Sequence, residues 1–378
     1  MAGENLRHGF TTGACAAAAA LGAARMLRDG RPVRSVELFL PAGFSATFPL
    51  GGQDFDGTRA SCYVVKDAGD DPDVTDGVEV HAEVAWISPS PRPSPAVGEG
   101  GPAISIEAGR GVGRVTKPGL AVAVGEPAIN PVPRKMIAEA VRSVFHDLPA
   151  DRVLRVTVSI PDGEERARRT LNERLGIVGG LSILGTTGVV KPISHKAWTD
   201  TVDVAIDVAL AAGSPAVVLS TGRTSEKCAQ QVLDLPEEAC VMMGDHVGYA
   251  LEACHRKGVP RIVLAAQFAK LVKIACGHPQ THVRFSRLDL SRLAGWARAG
   301  GLDEGLAKKL EWANTAREVY EASGESARLG DEVAGHALER LSNLAPGADI
   351  AILLVGYDGG AAGRFGLWPA SMERKGKP

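Results

Sequence analysis

"RIVLAAQFAKLVKIACG" (261–277) decides the fold of the second half of the chain. Its first seven residues make an apolar run without polar alternation, and the next ten read as a helix with Lys270 and Lys273 three apart on one face. A continuous apolar strand leading into a helix predicts a parallel sheet covered on both faces. The same unit recurs on either side. The helical pattern "TDTVDVAIDVALAAG" (199–213) precedes "AVVLSTGR" (216–223), and "ACVMMGD" (239–245) leads into "HVGYALEACHRKG" (246–258). A polar helical region (287–343) precedes a last apolar strand, "ADIAILLVG" (348–356). This alternation predicts a Rossmann-like, doubly wound α/β domain with its ligands at the carboxyl ends of the strands.

The first half reads differently. "SVELFLPAG" (35–43), "SATFPL" (45–50), "RASCYVVKD" (59–67), "VEVHAEVAWI" (78–87), "AISIEAG" (103–109), "LAVAV" (120–124) and "VLRVTVSIPDG" (153–163) are short strand patterns separated by Gly, Pro and Asp. A Pro/Ser-rich loop, "SPSPRPSPAVGEGG" (88–101), interrupts them. Thr11 or Thr12 can cap an alanine helix from about 13 to 29, ended by Gly30 and Pro32, and a second helix is expected over 134–146, after Pro131 and Pro133. The alanine face suits close helix packing or a flat ligand equally. The expected organisation is a mixed α+β domain over 1–194, the α/β domain over 195–360 and a tail over 361–378.

Bulk composition narrows the function. The 378 residues are 45% hydrophobic and 23% charged with a net charge of −2, so no global basic field recruits nucleic acid or an anionic membrane. Six cysteines without C-x-x-C or zinc spacing suit reduced thiols in a cytoplasmic protein with no resident metal, and no apolar run is long enough to span a bilayer.

Three strand-end loops carry candidate chemistry. "STGRTSE" (220–226), with Thr221, Gly222 and Arg223, "GDHVG" (244–248), with Gly244 and Asp245, and "AQFAKLVK" (266–273) each join a strand to a helix, where free amides face a ligand. Asp245 stands where nucleotide-type folds hold a ribose hydroxyl, although G-x-G-x-x-G is missing. "RLGIVGGLSILGTTGVVKPIS" (174–194) offers glycines, Thr186, Thr187 and Lys191 to carboxylates or phosphates, or else is a hinge. "KDAGDDPDVTDG" (66–77) holds five aspartates but lacks the Gly and Glu positions of a calcium loop. It reads as a rigid acidic recognition corner or as a solvated turn.

"LRHGFTTGACAAAAA" (6–20), "KDAGDDPDVTDG", "GRGVGRVTKPGLAVAVGEPAINPVPRKMI" (109–137) and "GLSILGTTGVVKP" (180–192), in this order, resemble the CbiD family, the cobalt-precorrin-5B C1-methyltransferases of cobalamin biosynthesis. The likeness runs from about residue 6 to 285. It implies S-adenosylmethionine as methyl donor and a tetrapyrrole acceptor with carboxylate arms. It directs Asp67, Asp71, Glu126 and His8 to acid–base work, and Thr221, Gly222, Arg223, Gly244 and Asp245 to the donor. Thr11, Thr12, Asn130, Arg134, Thr186, Thr187, Lys191, Lys270 and Lys273, with Arg114 and Lys117, are directed to the acceptor. Two segments depart from the family pattern. "STGRTSE" replaces a "TPGNYGE"-like loop and "AQFAKLVKIA" a "GHIGKLVKLA"-like one, so no histidine base is assigned there. The cobalt state of the acceptor stays open. A nicotinamide-dependent reductase and a tetrapyrrole carrier that hands an intermediate to other corrin-pathway enzymes are the rival readings.

Overall fold

The computed structural model describes residues 6–87, 103–146, 153–192, 194–313, 315–322 and 326–374. The chain divides into two compact units, Met1–Ser194 and His195–Pro378.

In the first unit β1 (Gly9–Phe10) enters α1 (Thr12–Asp29), followed by β2 (Ser35–Phe39), β3 (Ser45–Pro49), β4 (Gly51–Phe55), β5 (Arg59–Val65) and β6 (Glu79–Ile87). The Pro/Ser segment 88–101 lies outside the described residues. Next come β7 (Ala103–Ala108), β8 (Arg114–Val115), α2 (Pro131–Val144), β9 (Val153–Ser159), the single turn α3 (Gly163–Ala167), β10 (Ile177–Val178) and β11 (Val189–Val190). The main sheet has the order β4-β5-β6-β9-β7, antiparallel except for the β7/β9 pair. Alternation in the sequence becomes one buried face, with Ala60, Cys62 and Val64 on β5, Val80, Ala82 and Val84 on β6 and Leu154, Val156 and Val158 on β9. Helix α1 covers that face, and α2 lies beside it.

Small side chains let α1 come close. Residues Ala14 to Ala20 are buried, Cys62 Sγ lies 3.2 Å from the Ala19 carbonyl, and a Cβ on Gly22 would meet Leu50 and Cys62. The alanine face therefore packs protein and is closed to a flat ligand. Thr11 caps the helix by accepting from the Ala14 amide at 3.2 Å, and Gly30 closes it at φ 62° with its amide on the Met26 carbonyl.

Several expectations need correction. Helix α2 starts at Pro131, not at 134, because both prolines fit the first turn, where no amide is required. "LAVAV" (120–124) is no strand: Gly119 and Gly125 turn the chain at positive φ, the Gly125 amide returns to the Val115 carbonyl at 2.7 Å, and Val124 is exposed. The unforeseen β4 pairs with β5 through Gly51, Asp54 and Phe55, and the bare backbone of Gly51 and Gly52 lies under the Tyr63 ring.

The second unit comprises α4 (His195–Ala211), β12 (Val217–Ser220), α5 (Arg223–Val232), β13 (Cys240–Met242), α6 (Val247–Arg256), β14 (Arg261–Gln267) and α7 (Phe268–Ala275). The polar region becomes four helices, α8 (Leu290–Ala299), α9 (Glu304–Trp312), α10 (Ala316–Ala322) and α11 (Ser326–Leu344), before β15 (Asp349–Val355) and β16 (Ala361–Gly366). Strand order is β13-β12-β14-β15-β16, the first four parallel and β16 antiparallel. The expected tail thus begins with an edge strand, drawn into register by its partner although its Gly/Ala-rich sequence has no apolar alternation. Buried Val217 to Leu219 and Ile262 to Ala266 show why these strands read as unbroken apolar runs. Among the described residues no helix is long and apolar enough to cross a membrane.

Candidate functional site

In the first unit, the predicted residues gather around the start of α1. The chain before it is held on two sides. The Phe10 amide donates to the Asp67 carbonyl at 2.8 Å, and β1 pairs with β11 next to Lys191. The glycine-rich segment crosses the helix start as a strap. Thr12 Oγ1 accepts from the Leu184 amide at 3.1 Å, and the Gly13 amide donates to the Leu184 carbonyl at 3.1 Å. The Thr11 amide donates to the Gly188 carbonyl at 3.0 Å, and the Asn130 amide, at the start of α2, donates to the Ile183 carbonyl at 2.9 Å. A Cβ on Gly13 would strike Pro133, so the two helices begin side by side. Thr186, Thr187 and Lys191 stand exposed on this strap, and Asn130 makes no side-chain cap bond. Glu126 and Arg134, given separate roles above, face each other at 3.9 Å. Arg114 donates to the Gly125 carbonyl at 3.0 Å.

The acidic loop is mostly satisfied from within. Arg7 bonds the Asp67 side chain, whose Oδ1 also accepts from the Gly69 amide at 2.9 Å. The hydrogen bond from Arg7, aided by that amide, holds the Asp67 carboxyl below its ordinary range. Asp70 accepts from the Arg7 amide at 2.6 Å, and Asp76 from the Ala68 amide at 2.8 Å. Asp73 accepts from Lys66 Nζ at 2.6 Å, and the Lys66 side chain is 1% exposed. Burial pushes the Asp73 carboxyl up, but the bond and charge of Lys66 outweigh it, so the net shift is downward. Arg166 ties the loop further through the Val74 and Asp76 carbonyls. His8 is exposed and bridges to Gly69. The corner is therefore a rigid, internally paired turn beside the start of α1. Lys66, its buried anchor, was missed because lysine before an acidic run reads as a surface residue.

In the second unit the strand ends converge. The Met243 and Gly244 amides donate to the Ser220 carbonyl at 3.0 and 3.3 Å, and the Thr221 amide donates to the Ala265 carbonyl at 3.2 Å. The loop after β12 is thus pinned between those after β13 and β14. Gly222 is extended, at φ 170°, and no atom lies within 4 Å of where a Cβ would stand. The first bond within α5 is from the Glu226 amide to the Gly222 carbonyl, so helix geometry leaves the amides of Arg223, Thr224 and Ser225 without intrahelical acceptors. Asp245 Oδ1 accepts from both Lys270 and Thr281 Oγ1, the latter at 2.6 Å. Burial raises the Asp245 carboxyl, and the bonds from Lys270 and Thr281 more than reverse this. Lys273 is buried and donates to the Thr281 carbonyl at 2.9 Å, with burial, then Lys270, pulling its ammonium down. Lys270 and Lys273 therefore hold the strand-end loops together, and neither is an isolated surface cation. Thr281, which links them to Asp245, had no sequence signal.

A cleft of about 460 Å³ adjoins this network, lined by His195, Thr199, His246, Tyr249, Gln280 and Phe285, among others. The Trp198 indole donates to the Met243 carbonyl at 3.0 Å and stacks on His246 at 6.3 Å. Burial, then His195, lowers the His246 imidazole below its ordinary value. Among the described residues no group of three or more His, Cys, Asp or Glu side chains is arranged to hold a metal ion.

Both units match known proteins. Residues 1–192 match the CbiD family model, and residues 280–365 match that of the CbiD C-terminal domain. The cobalt-precorrin-5B C(1)-methyltransferase of Geobacter sulfurreducens is 59% identical over 95% of this chain and 98% of its own length. Its namesake in Geobacter metallireducens is 57% identical over 93% and 97%. The crystal structure of the cobalamin biosynthesis protein (cbiD) from Archaeoglobus fulgidus is 29% identical, covering 79% of this chain and 85% of that one at a TM-score of 0.39. Matched through both units, the chain belongs to the CbiD family.

Proposed function

We propose that this protein transfers the methyl group of S-adenosylmethionine to C1 of cobalt-precorrin-5B, giving cobalt-precorrin-6A. The observation that carries this reading is the identity of more than half of all residues, end to end, with enzymes of that name. The first unit is read as the acceptor domain and the second, with its doubly wound order, as the donor domain.

In the second unit, the connections after β12 and β14 run in opposite directions along the sheet, and such a switch point is where open α/β sheets bind ligands. The residues there fit the donor. The open space at Gly222 admits a ligand against bare backbone, and the α5 amides suit its carboxylate. Asp245 spends both of its bonds on Oδ1, which leaves Oδ2 for a ribose hydroxyl. Thr221 and Arg223 border the same opening, with Gly244 on the neighbouring loop. S-adenosylmethionine supplies an electrophilic methyl group: the bond to C1 forms as the S–CH₃ bond breaks and its electron pair stays on sulfur.

The chain's share is orientation and exclusion of water, which supply most of the rate in an in-line displacement. Thr11, Thr12, Asn130, Thr186, Thr187, Arg134 and Lys191, gathered at the two helix starts, suit the carboxylate arms of the acceptor. Asp67, held ionised by Arg7, is a weak base and acts with Asp71 as fixed negative charge. His8 and Glu126, both exposed beside this region, are assigned the acid–base work. Six free cysteines suit a cytoplasmic setting. S-adenosylhomocysteine should raise the thermal midpoint where NADPH does not. Protection by NADPH alone would return the reductase reading, and corrinoid binding with no donor effect would favour the carrier.

A further inference from the structure

We infer that the cleft between the start of α4, the first turns of α6 and the 279–285 segment takes the adenine base of the methyl donor, stacked on Phe285 with its amino edge on Glu252. The inference rests on the donor reading of the second unit and deepens it, since it names the base subsite and the side chains that select the base. Every wall of the cleft belongs to the second unit.

Position is the first argument. In a nucleoside the base hangs on the carbon next to the one that carries the 2′-hydroxyl. A ribose held by Asp245 therefore puts its base in the space beside that carboxylate. The cleft is such a space. His246 follows Asp245 directly, and on the facing segment Gln280 precedes Thr281, whose hydroxyl donates to Asp245 Oδ1 at 2.6 Å and whose amide donates to the Asp245 carbonyl at 3.0 Å. The opening at Gly222 belongs to the loop after β12 and the cleft to the loop after β13, so the amino-acid arm and the base leave the ribose toward different loops.

The lining suits a flat, uncharged heterocycle. Its volume of about 460 Å³ lies within the roughly 300–1,000 Å³ of small-molecule sites. Phe285 lines it and is 57% exposed, beside His246, whose ring is backed by Trp198. Among the described residues no lysine or arginine lines the cleft, which disfavours a phosphate or carboxylate there and costs a neutral base nothing. Polar groups stand at the rim of this surface. Among the described residues Glu252 has no hydrogen-bond or ion-pair partner. Gln280 Nε2 lies 3.5 Å from His246 Nδ1, which leaves an amide hydrogen and the carbonyl oxygen for a ligand. The walls are already closed on each other: the Gly248 amide donates to the Pro279 carbonyl at 2.9 Å, and a Cβ on Gly248 would strike Pro279.

Adenine matches these groups. Its exocyclic amine donates to the Glu252 carboxylate, a ring nitrogen accepts from Gln280, and its face stacks on Phe285. A 6-oxo base would set a carbonyl against the carboxylate, acceptor against acceptor, and is rejected. Glu252, Gln280 and Phe285 make and break no bond. They fix the base, and through the ribose they fix the line along which the methyl group leaves.

The test is titration calorimetry on the full chain with S-adenosylhomocysteine and with S-inosylhomocysteine, which differs only in carrying a 6-oxo base. Wild type should prefer the adenine form at least about ten-fold. Glu252→Gln, whose amide serves either base, should bring the two within about two-fold by weakening the adenine form. Phe285→Ala should weaken both about five-fold or more. 5′-Methylthioadenosine, which has no amino-acid arm, should respond to both variants as S-adenosylhomocysteine does. Both side chains are exposed, so the thermal midpoint should not move. An adenine preference that survives Glu252→Gln, or unchanged affinities in Phe285→Ala, overturns the inference and leaves the donor reading standing. No binding of S-adenosylhomocysteine to wild type overturns both.

Discussion

Replacing Asp73 with asparagine tests whether the acidic corner is built around the buried lysine. Lys66 Nζ has its 2.6 Å bond to Asp73 and a side chain that is 1% exposed, whereas the Asp73 side chain is 26% exposed. Asp73→Asn keeps the shape and the Thr75 amide bond but strands a buried ammonium. Removing one partner of a buried pair costs about 3–5 kcal/mol, and the partial exposure of Asp73 sets the lower end, about 3 kcal/mol. For a unit of this size that is a fall of roughly 6–12 °C in the first unit's midpoint. Lys66→Met removes the buried charge instead and should cost only about 1 kcal/mol, since the partly solvated carboxylate keeps its amide bond. Scanning calorimetry of both variants and the double mutant decides the matter. The folded carboxyl titrates below its unfolded counterpart, near 3.9, so its stabilisation is complete above about pH 4 and is lost as pH falls through the lower folded value. Asp73→Asn should lack that part of the acid limb. An Asp73→Asn midpoint within about 2 °C of wild type, or a larger loss in Lys66→Met, would refute the reasoning.

Other expectations follow from single contacts. Gly222→Leu places a side chain in open space on extended backbone, so calorimetry should show an unchanged midpoint while affinity for S-adenosylhomocysteine falls more than about ten-fold, or 1.4 kcal/mol. Asp245→Ala should weaken the same ligand and also lower stability by about 1–3 kcal/mol, because Lys270 and Thr281 lose their acceptor; titration calorimetry and urea unfolding read the two effects. Gly185→Ala forces a Cβ onto φ 123° and into the Thr11 side chain, and urea unfolding should register a loss of about 2–3 kcal/mol. Burial pushes the Cys15, Cys62 and Cys254 thiols up to about 12, so mass spectrometry after alkylation at pH 8 should find them unlabelled in native protein, with the half-buried Cys276 modified first.

Much of the fold was legible because burial writes itself into periodicity. The run at 262–266 announced a strand covered on both sides, and alternation at 59–65 and 79–87 announced a sheet with one buried face. Elements held by partners were not legible. Gly51–Phe55 and Ala361–Gly366 become strands only because β5 and β15 offer edges to them, and Leu120 to Val124 looked like a strand but is bent by its flanking glycines. The site was half legible. Motifs drew attention to the start of α1 and to the strand ends, yet spacing along the chain carried no sign that Lys66 is buried. Nor did it show that Thr281 joins Asp245 to Lys273, or that His195 and His246 meet across one cleft. Those are tertiary facts, and the resemblance to a family supplied the chemistry that periodicity does not encode.

The most direct measurement of the central claim is ¹³C NMR of cobalt-precorrin-5B incubated anaerobically with the purified protein and ¹³C-methyl S-adenosylmethionine. A new methyl resonance coupled to C1, formed with one equivalent of S-adenosylhomocysteine, is the predicted result. Label at another carbon, or none while the acceptor remains bound, would contradict it.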